Sequence, residues 1–282
     1  MGQKALDLLR NFEKWTSKRW AKALLFGFGF LFIVLCHFAF CFKLDGFYAS
    51  YEYGFRNTAS LKAAVTLFSI ALLLVVLALG YLFYRKELTA KRFGNALLLV
   101  VFLVVLLLGG FRNFNSNTFT HDFQVFGKGG HWEIIYGIFK TGQIPPVDLT
   151  NQFYQVKFYH TIGAYFAKIF SFLIPSTTGI SLTIFEGEAS LSLHDAASLE
   201  CIRILEAYFG CLNFYFIAKI FERLFKGDGR RALLSSAFCF VLPSLYFVIY
   251  SKNNDLFALT FSLLSLHLAL FWQEKRSFLR IF

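Results

Sequence analysis

Two groups of polar side chains could carry chemistry in this sequence. One lies between residues 121 and 160, and the other is Asn253-Asn254-Asp255. Carboxylates, imidazoles and amines are the side chains that most often move protons in catalysis. The simpler alternative is a solvated loop for the first group and a helix N-cap for Asn253 or Asn254. The first group comprises His121, Asp122, Gln124, Lys128, His131, Glu133, Asp148, Asn151, Gln152, Lys157 and His160.

The composition indicates that these groups belong to a membrane protein. The 282 residues are 57% hydrophobic and only 16% charged, whereas soluble domains are about 45–50% apolar and about 25% charged. The same figures exclude a disordered chain, a collagen and a coiled coil. The net charge of +11 does not predict a nucleic-acid partner, because the basic residues cluster beside apolar runs. The five cysteines show no disulfide or zinc spacing.

Six apolar runs are long enough to cross a bilayer, which takes about 20 residues. Each should be a helix, because an open strand leaves its backbone groups unsatisfied in lipid. We therefore expect an all-α integral membrane protein with about six transmembrane helices, forming one polytopic domain over residues 1–282. The runs are Ala23–Phe42, Ala63–Tyr84, Asn95–Phe111, Ile202–Phe221, Ala232–Tyr250 and Leu256–Trp272.

The distribution of lysine and arginine predicts the orientation. The N-terminal segment carries six basic residues between Lys4 and Lys22, so we place it in the cytoplasm. The basic stretches at residues 85–92 and 219–231 should also be cytoplasmic. Residues 112–200 then form one large external loop, and Asn253-Asn254-Asp255 lies on the same outer side. Both polar groups are thus expected at the outer surface.

Two stretches of the external loop predict helices at the membrane surface. His131–Lys140 is amphipathic, and Gly142, Pro145 and Pro146 should end it. Phe158–Ile174 is apolar but short, and we interpret it as an interfacial or half-inserted helix. The alternative is that this segment crosses the membrane, which would invert everything after it. The basic stretch at residues 219–231 argues against that alternative.

The polar groups and the turns between them resemble the first external loop of bacterial GT-C glycosyltransferases. These polytopic membrane enzymes, mannosyltransferases among them, use sugars linked to polyprenyl phosphate. The resemblance covers roughly residues 120–276. It rests on short motifs: His121-Asp122, Gly129-Gly130-His131, Thr141-Gly142-Gln143-Ile144-Pro145, Gln152-Phe153-Tyr154, and Pro243 followed by Asn253-Asn254-Asp255 and Trp272.

The resemblance implies a hexosyltransferase in the bacterial plasma membrane that moves a sugar from a polyprenyl-phosphate donor to an external lipid, glycan or protein. Asp122 would be the general base that removes the acceptor's proton, and Asp255 the second acidic residue of the site. His121, His131, Lys157, His160 and Asn254 would bind substrate. A divalent cation, Mg²⁺ or Mn²⁺, could bridge carboxylates and phosphate, but no metal ligand set is specified. The sequence does not specify an oligomeric state.

The chain also departs from the family pattern. Gln155-Val156-Lys157-Phe158 stands where the family usually has Pro-Pro-Leu, and the chain stops at Phe282 where family members usually continue for several spans. A short relative, a fragment or a degenerate copy would each fit. Two other functions stay open. One is an inactive membrane relative or partner subunit in envelope glycan assembly, and the other, less favoured, is a small transporter or flippase.

Overall fold

The computed structural model describes residues 19–41, 59–86, 88–111, 131–146, 157–174, 181–184, 189–249 and 254–275. All the long elements in these ranges are helices, accompanied by one antiparallel pair of four-residue strands. The helices are α1 Arg19–Cys41, α2 Ala59–Tyr84, α3 Ala90–Phe111, α4 His131–Thr141, α5 Phe158–Ser171, α6 Leu193–Glu200, α7 Ile202–Leu224, α8 Gly229–Phe240, α9 Pro243–Phe247 and α10 Asp255–Lys275, and the strands are β1 Ser181–Ile184 and β2 Ala189–Ser192.

Four segments of the described residues are long and apolar enough to cross a membrane. They are Thr66–Tyr84 in α2, Ala90–Leu107 in α3, Ala197–Leu224 across α6 and α7, and Asp255–Gln273 in α10. Each coincides with one of the six predicted spans, which fits the expected membrane class. The predicted first span overlaps α1 as far as Cys41, and the apolar stretch Ala23–Phe38 of α1 is shorter than the other four segments.

The predicted fifth span, Ala232–Tyr250, is wrong as a single helix. Helix α8 ends at Phe240, and a separate five-residue helix, α9, begins at Pro243. Proline has no N–H to donate, and its ring disfavours helical geometry in the residue before it. Leu242 accordingly adopts an extended conformation, with φ −71° and ψ 115°. The apolar run therefore folds as a broken pair of short helices.

Helix α7 forms the centre of the bundle, in contact with α1, α3, α5, α6, α8 and α10. Helix α7 runs parallel to α10, because residues near the start of α7 contact residues near the start of α10, and residues near the two C-terminal ends also contact each other. The Phe209 and Phe257 rings lie 4.2 Å apart, and the Arg223 guanidinium lies 4.7 Å from the Phe271 ring. We call the end at which α7 and α10 begin the polar end. The opposite end, where α3 and α8 begin, is the basic end.

Helices α4, α5 and α6 cover the polar end. The amphipathic pattern of α4 is realised, because its Ile134, Ile135 and Ile138 are fully buried, and burying each such side chain is worth about 1.5–3 kcal/mol. Gly142 ends α4 as predicted, with a φ of 71° that few other residues adopt. An ion pair of 2.8 Å between Lys140 and Asp195 joins α4 to α6.

Helix α5 coincides with the helix predicted over residues 158–174, whose placement at the membrane surface stays a prediction, and α5 is too short to span a bilayer. Its 14 residues extend over about 21 Å, against a hydrocarbon core of about 30 Å. One face, including Tyr159, His160 and Ala164, is buried against the rest of the protein. Ile169 and Phe172, at its C-terminal end, are exposed. The two faces of α5 therefore differ as expected for a helix between protein and lipid.

Candidate functional site

His131 and His160 form a buried pair at the polar end. His131 is the first residue of α4 and His160 lies in the first turn of α5, so the packing of these helices brings them together. The His131 Nδ1 and His160 Nε2 atoms lie 2.6 Å apart, and the ring planes differ by 19°. His131 is 2% exposed and His160 is 0% exposed. Two residues that the sequence separates by 29 positions thus share one hydrogen bond.

The environment of the pair keeps His160 neutral. Burial lowers the pKa of His160 to about 3, and positive charge on His131 and Lys157 acts in the same direction. One ring of the pair must donate and the other accept, since two N–H groups cannot share a hydrogen bond. Within the part of the chain that the structure describes, His160 Nδ1 is buried without a hydrogen-bond partner. If His131 Nδ1–H donates to His160 Nε2, then His160 Nδ1 carries the proton and is a donor.

Lys157 is the third predicted site residue that the fold brings to this point. It immediately precedes α5, one helical turn from His160, and it is only 7% exposed. Its Nζ atom lies 3.4 Å from the carbonyl oxygen of Pro146, which ties the start of α5 to the segment that follows α4. A buried ammonium group is costly unless it has polar or charged partners. The chain therefore holds a positive charge beside the histidine pair.

A second buried polar group, which was not predicted from the sequence, lies next to the pair. The Tyr159 hydroxyl donates to Glu206 Oε1 at 2.8 Å, and both side chains are buried. Burial raises the pKa of Tyr159 well above its usual value, and the negative charge of Glu206 raises it further, so the hydroxyl stays a donor. Arg203 and Glu200 pair at 2.8 Å, each 4% exposed. Charged residues inside an apolar helix are a functional signal that could have identified Arg203 and Glu206.

Asp255 and Asn254 lie at the same end of the bundle as the histidine pair. Asp255 is the first residue of α10, where its negative charge stabilises the positive end of the helix dipole. It is exposed, and Asn254 is half-buried. Two residues further on, the Phe257 ring lies 5.0 Å from the Tyr159 ring. The Tyr159 ring, in turn, lies 5.6 Å from that of His160. One chain of contacts therefore joins the start of α10 to the pair.

The predicted general base, Asp122, and its neighbour His121 lie outside the described residues. Within the described ranges, no group of three or more His, Cys, Asp or Glu side chains could hold a metal ion. The structure thus assembles His131, Lys157 and His160 and places Asn254 and Asp255 at the same end. Comparisons with protein-family models, with curated proteins and with solved structures found no match to this chain.

Proposed function

We propose that this chain is a membrane glycosyltransferase that moves a sugar from a polyprenyl-phosphate donor to an acceptor at the polar end of the bundle. The observation that carries the proposal is the buried cluster of His131, Lys157 and His160. His131 precedes His160 by 29 positions, yet the two side chains meet where the short helix α5 joins the bundle, with Lys157 one turn before His160. The resemblance to GT-C enzymes assigns the same three residues to substrate.

The chemistry of the cluster suits a phosphate group. Lys157 supplies a fixed positive charge that favours a phosphate oxygen. In the tautomer described above, His160 Nδ1–H is a buried donor without a partner among the described residues, a state that costs about 1–3 kcal/mol. A phosphate oxygen accepting from this N–H would remove that cost. The cluster would thus hold the leaving group of the donor while the sugar is transferred.

Sugar transfer also needs a group that removes the acceptor's proton. In the proposal, that base is Asp122 and Asp255 is the second carboxylate, as the resemblance implies. A positioned general base contributes about 10²–10⁴-fold to the rate. Asp255 is exposed at the start of α10, so an acceptor could reach it from solvent, whereas the histidine pair is closed off from water. Acceptor and donor would then approach from different sides.

The membrane supplies the donor in this proposal. Ile169, Phe172 and Leu173, at the C-terminal end of α5, are exposed apolar side chains, as expected where a helix meets acyl chains. A polyprenyl chain lying against them would place its phosphate near the buried face of the same helix. The basic residues of the N-terminus and of the basic end favour a cytoplasmic location for that end. The polar end would then face outward across a plasma membrane.

The proposal is tested with the purified chain in lipid nanodiscs. Radiolabelled polyprenyl-phosphate hexoses serve as donors and an envelope extract supplies acceptors. Asp255→Asn should lower sugar transfer by at least about 100-fold, while it lowers stability only by the roughly 0.3–1 kcal/mol that an exposed charge contributes at a helix N-terminus. Asp228→Asn is the matched control, because Asp228 is a helix N-cap at the basic end and asparagine caps equally well.

No transfer by the unmodified chain with any donor, or full transfer by Asp255→Asn, would contradict the proposal. Either result would favour a non-catalytic membrane protein of envelope glycan assembly.

A further inference from the structure

The basic end carries a dense positive charge contributed by two distant parts of the sequence. Residues 85–92 contain four lysines and arginines against one acid, and residues 219–231 contain five against two acids. The fold places the two segments side by side. A Cβ on Gly229 would lie 3.4 Å from that of Ala90, and one on Gly94 would lie 3.7 Å from Leu233 Cδ1. The two segments therefore form one surface, which we call the basic face.

The acids of the basic face neutralise only part of this charge. Glu222 pairs with Lys219 at 2.6 Å, and Asp228 pairs with Arg231 at 3.1 Å. Glu222 and Asp228 are thus already paired with bases of their own segment. Lys91 and Arg230, in the first turns of α3 and α8, are exposed to solvent. An excess of positive charge remains at the surface, where an anion can reach it.

Helix dipoles add to this potential. Helices α3 and α8 both begin at the basic face, and neither has an acidic residue in its first turn. The Asp228 carboxylate, however, caps α8 by accepting from the Arg231 backbone N–H at 3.0 Å. The N-terminus of a helix carries about half a positive charge, so an acid is favoured there and a base is not. Asp228 offsets this potential at α8 only. The N-terminus of α3, with Lys91 and Arg92 in its first turn, keeps its positive potential, which a bound anion would offset.

Exposed aromatic rings lie close to the basic face, at the ends of the neighbouring helices. Trp20 near the start of α1, Tyr81 and Tyr84 at the end of α2, and Trp272 near the end of α10 are each 49–82% exposed. All four lie at helix ends of the basic end. Tryptophan and tyrosine concentrate where acyl chains meet headgroups. The basic face therefore lies at the level of lipid phosphates, just beyond the ring belt.

We propose that the basic face binds the headgroups of anionic phospholipids in the leaflet at this end of the bundle. Lysine and arginine clusters immediately beyond a membrane helix attract anionic lipid, at about 1 kcal/mol for each base. The ring belt favours lipid over a soluble anion, because it holds the charges at headgroup depth. This inference does not depend on the proposed glycosyltransferase activity.

The test measures binding of fluorescent phosphatidylglycerol to the full chain in a zwitterionic detergent, with phosphatidylcholine as the comparison lipid. We expect saturable binding of phosphatidylglycerol that weakens as salt is added. Lys91→Gln and Arg230→Gln should each weaken it about fivefold. Lys168→Gln is the matched control, because Lys168 is an exposed base on α5, outside the basic face, and should leave binding unchanged.

Three results would overturn the proposal. They are equal binding of the two lipids, an equal loss from Lys168→Gln, or binding of inorganic phosphate as tight as that of phosphatidylglycerol. The last would assign the face to a soluble anion. Because both test residues are exposed, their variants should unfold at the temperature of the unmodified chain, which confirms that any loss of binding is local.

Discussion

Gly210 on α7 provides a sharp test of how the broken apolar run packs. A Cβ at this position would lie 2.7 Å from Ile249 Cδ1, 2.9 Å from Cγ1 and 3.2 Å from Cγ2. Ile249, which follows α9, is 1% exposed and has little space to move. Overpacking of this kind costs about 1–3 kcal/mol, against a gain of about 1 kcal/mol in helix propensity. Gly210→Ala should therefore lower the free energy of unfolding by up to about 2 kcal/mol.

Gly163→Ala is the matched control. Gly163 is also buried in a helix, but its added Cβ would lie 3.7 Å from Ile202, an ordinary contact. This substitution should stabilise the protein by up to about 1 kcal/mol. Unfolding by SDS in mixed micelles measures both variants, and Ile249→Val, which removes Cδ1, should restore part of the loss in the double variant. If Gly210→Ala proves as stabilising as Gly163→Ala, Ile249 does not lie against α7.

Three further predictions concern the polar end. Tyr159→Phe removes a buried donor to Glu206 and should cost about 1–3 kcal/mol in SDS unfolding. Tyr165→Phe, which loses an exposed bond to Gly142, should cost much less, and equal losses would contradict the buried pair. The pKa of His160 is lowered to about 3 in the folded protein. As the pH falls below about 6.5, the His160 imidazole is therefore protonated in the unfolded chain but not in the folded one. Stability should fall by about 2 kcal/mol between pH 6.5 and 5 and much less in His160→Gln; equal pH dependence would refute the assignment. A cysteine at Ser181 should react with an impermeant reagent on intact cells whereas one at Lys226 should not, and the reverse would invert the topology.

Much of the bundle was predictable because a long apolar helix appears in the sequence as an unbroken run of apolar residues. The spans in α2, α3, α7 and α10 follow from unbroken apolar runs. Helix α4 follows from the spacing of Trp132, Ile135 and Phe139 and from the glycine after it. The break before Pro243 was missed because the run from Ala232 to Tyr250 remains apolar throughout. Hydropathy does not reflect the hydrogen bond that a helix loses at a proline, although Pro243 itself stands in the sequence.

The candidate site was predictable only in part. His131 was chosen from the Gly-His motif, and Lys157 and His160 because basic side chains can neutralise a donor phosphate. The three-residue spacing of Lys157 and His160 places those two on one helical turn, but nothing in the sequence required His131 to meet them. Their contact depends on how α4 packs on α5, which is a tertiary feature. Tyr159 and Glu206 were missed because a tyrosine in an apolar helix and a glutamate near the start of a span each look unremarkable alone. Only the fold shows that they are partners.

The most direct test of the account is the affinity of the purified chain for a polyprenyl phosphate that carries no sugar. Lys157→Gln and His160→Gln should each weaken binding about tenfold or more, as expected for the loss of a charge-assisted bond of about 1.5–3 kcal/mol. With excess phosphatidylglycerol present to occupy the basic face, Arg230→Gln at the basic end should leave this affinity unchanged, and unfolding temperatures check that each variant is folded. Unaltered affinity in both cluster variants, or a loss in Arg230→Gln alone, would contradict a phosphate site at His131, Lys157 and His160.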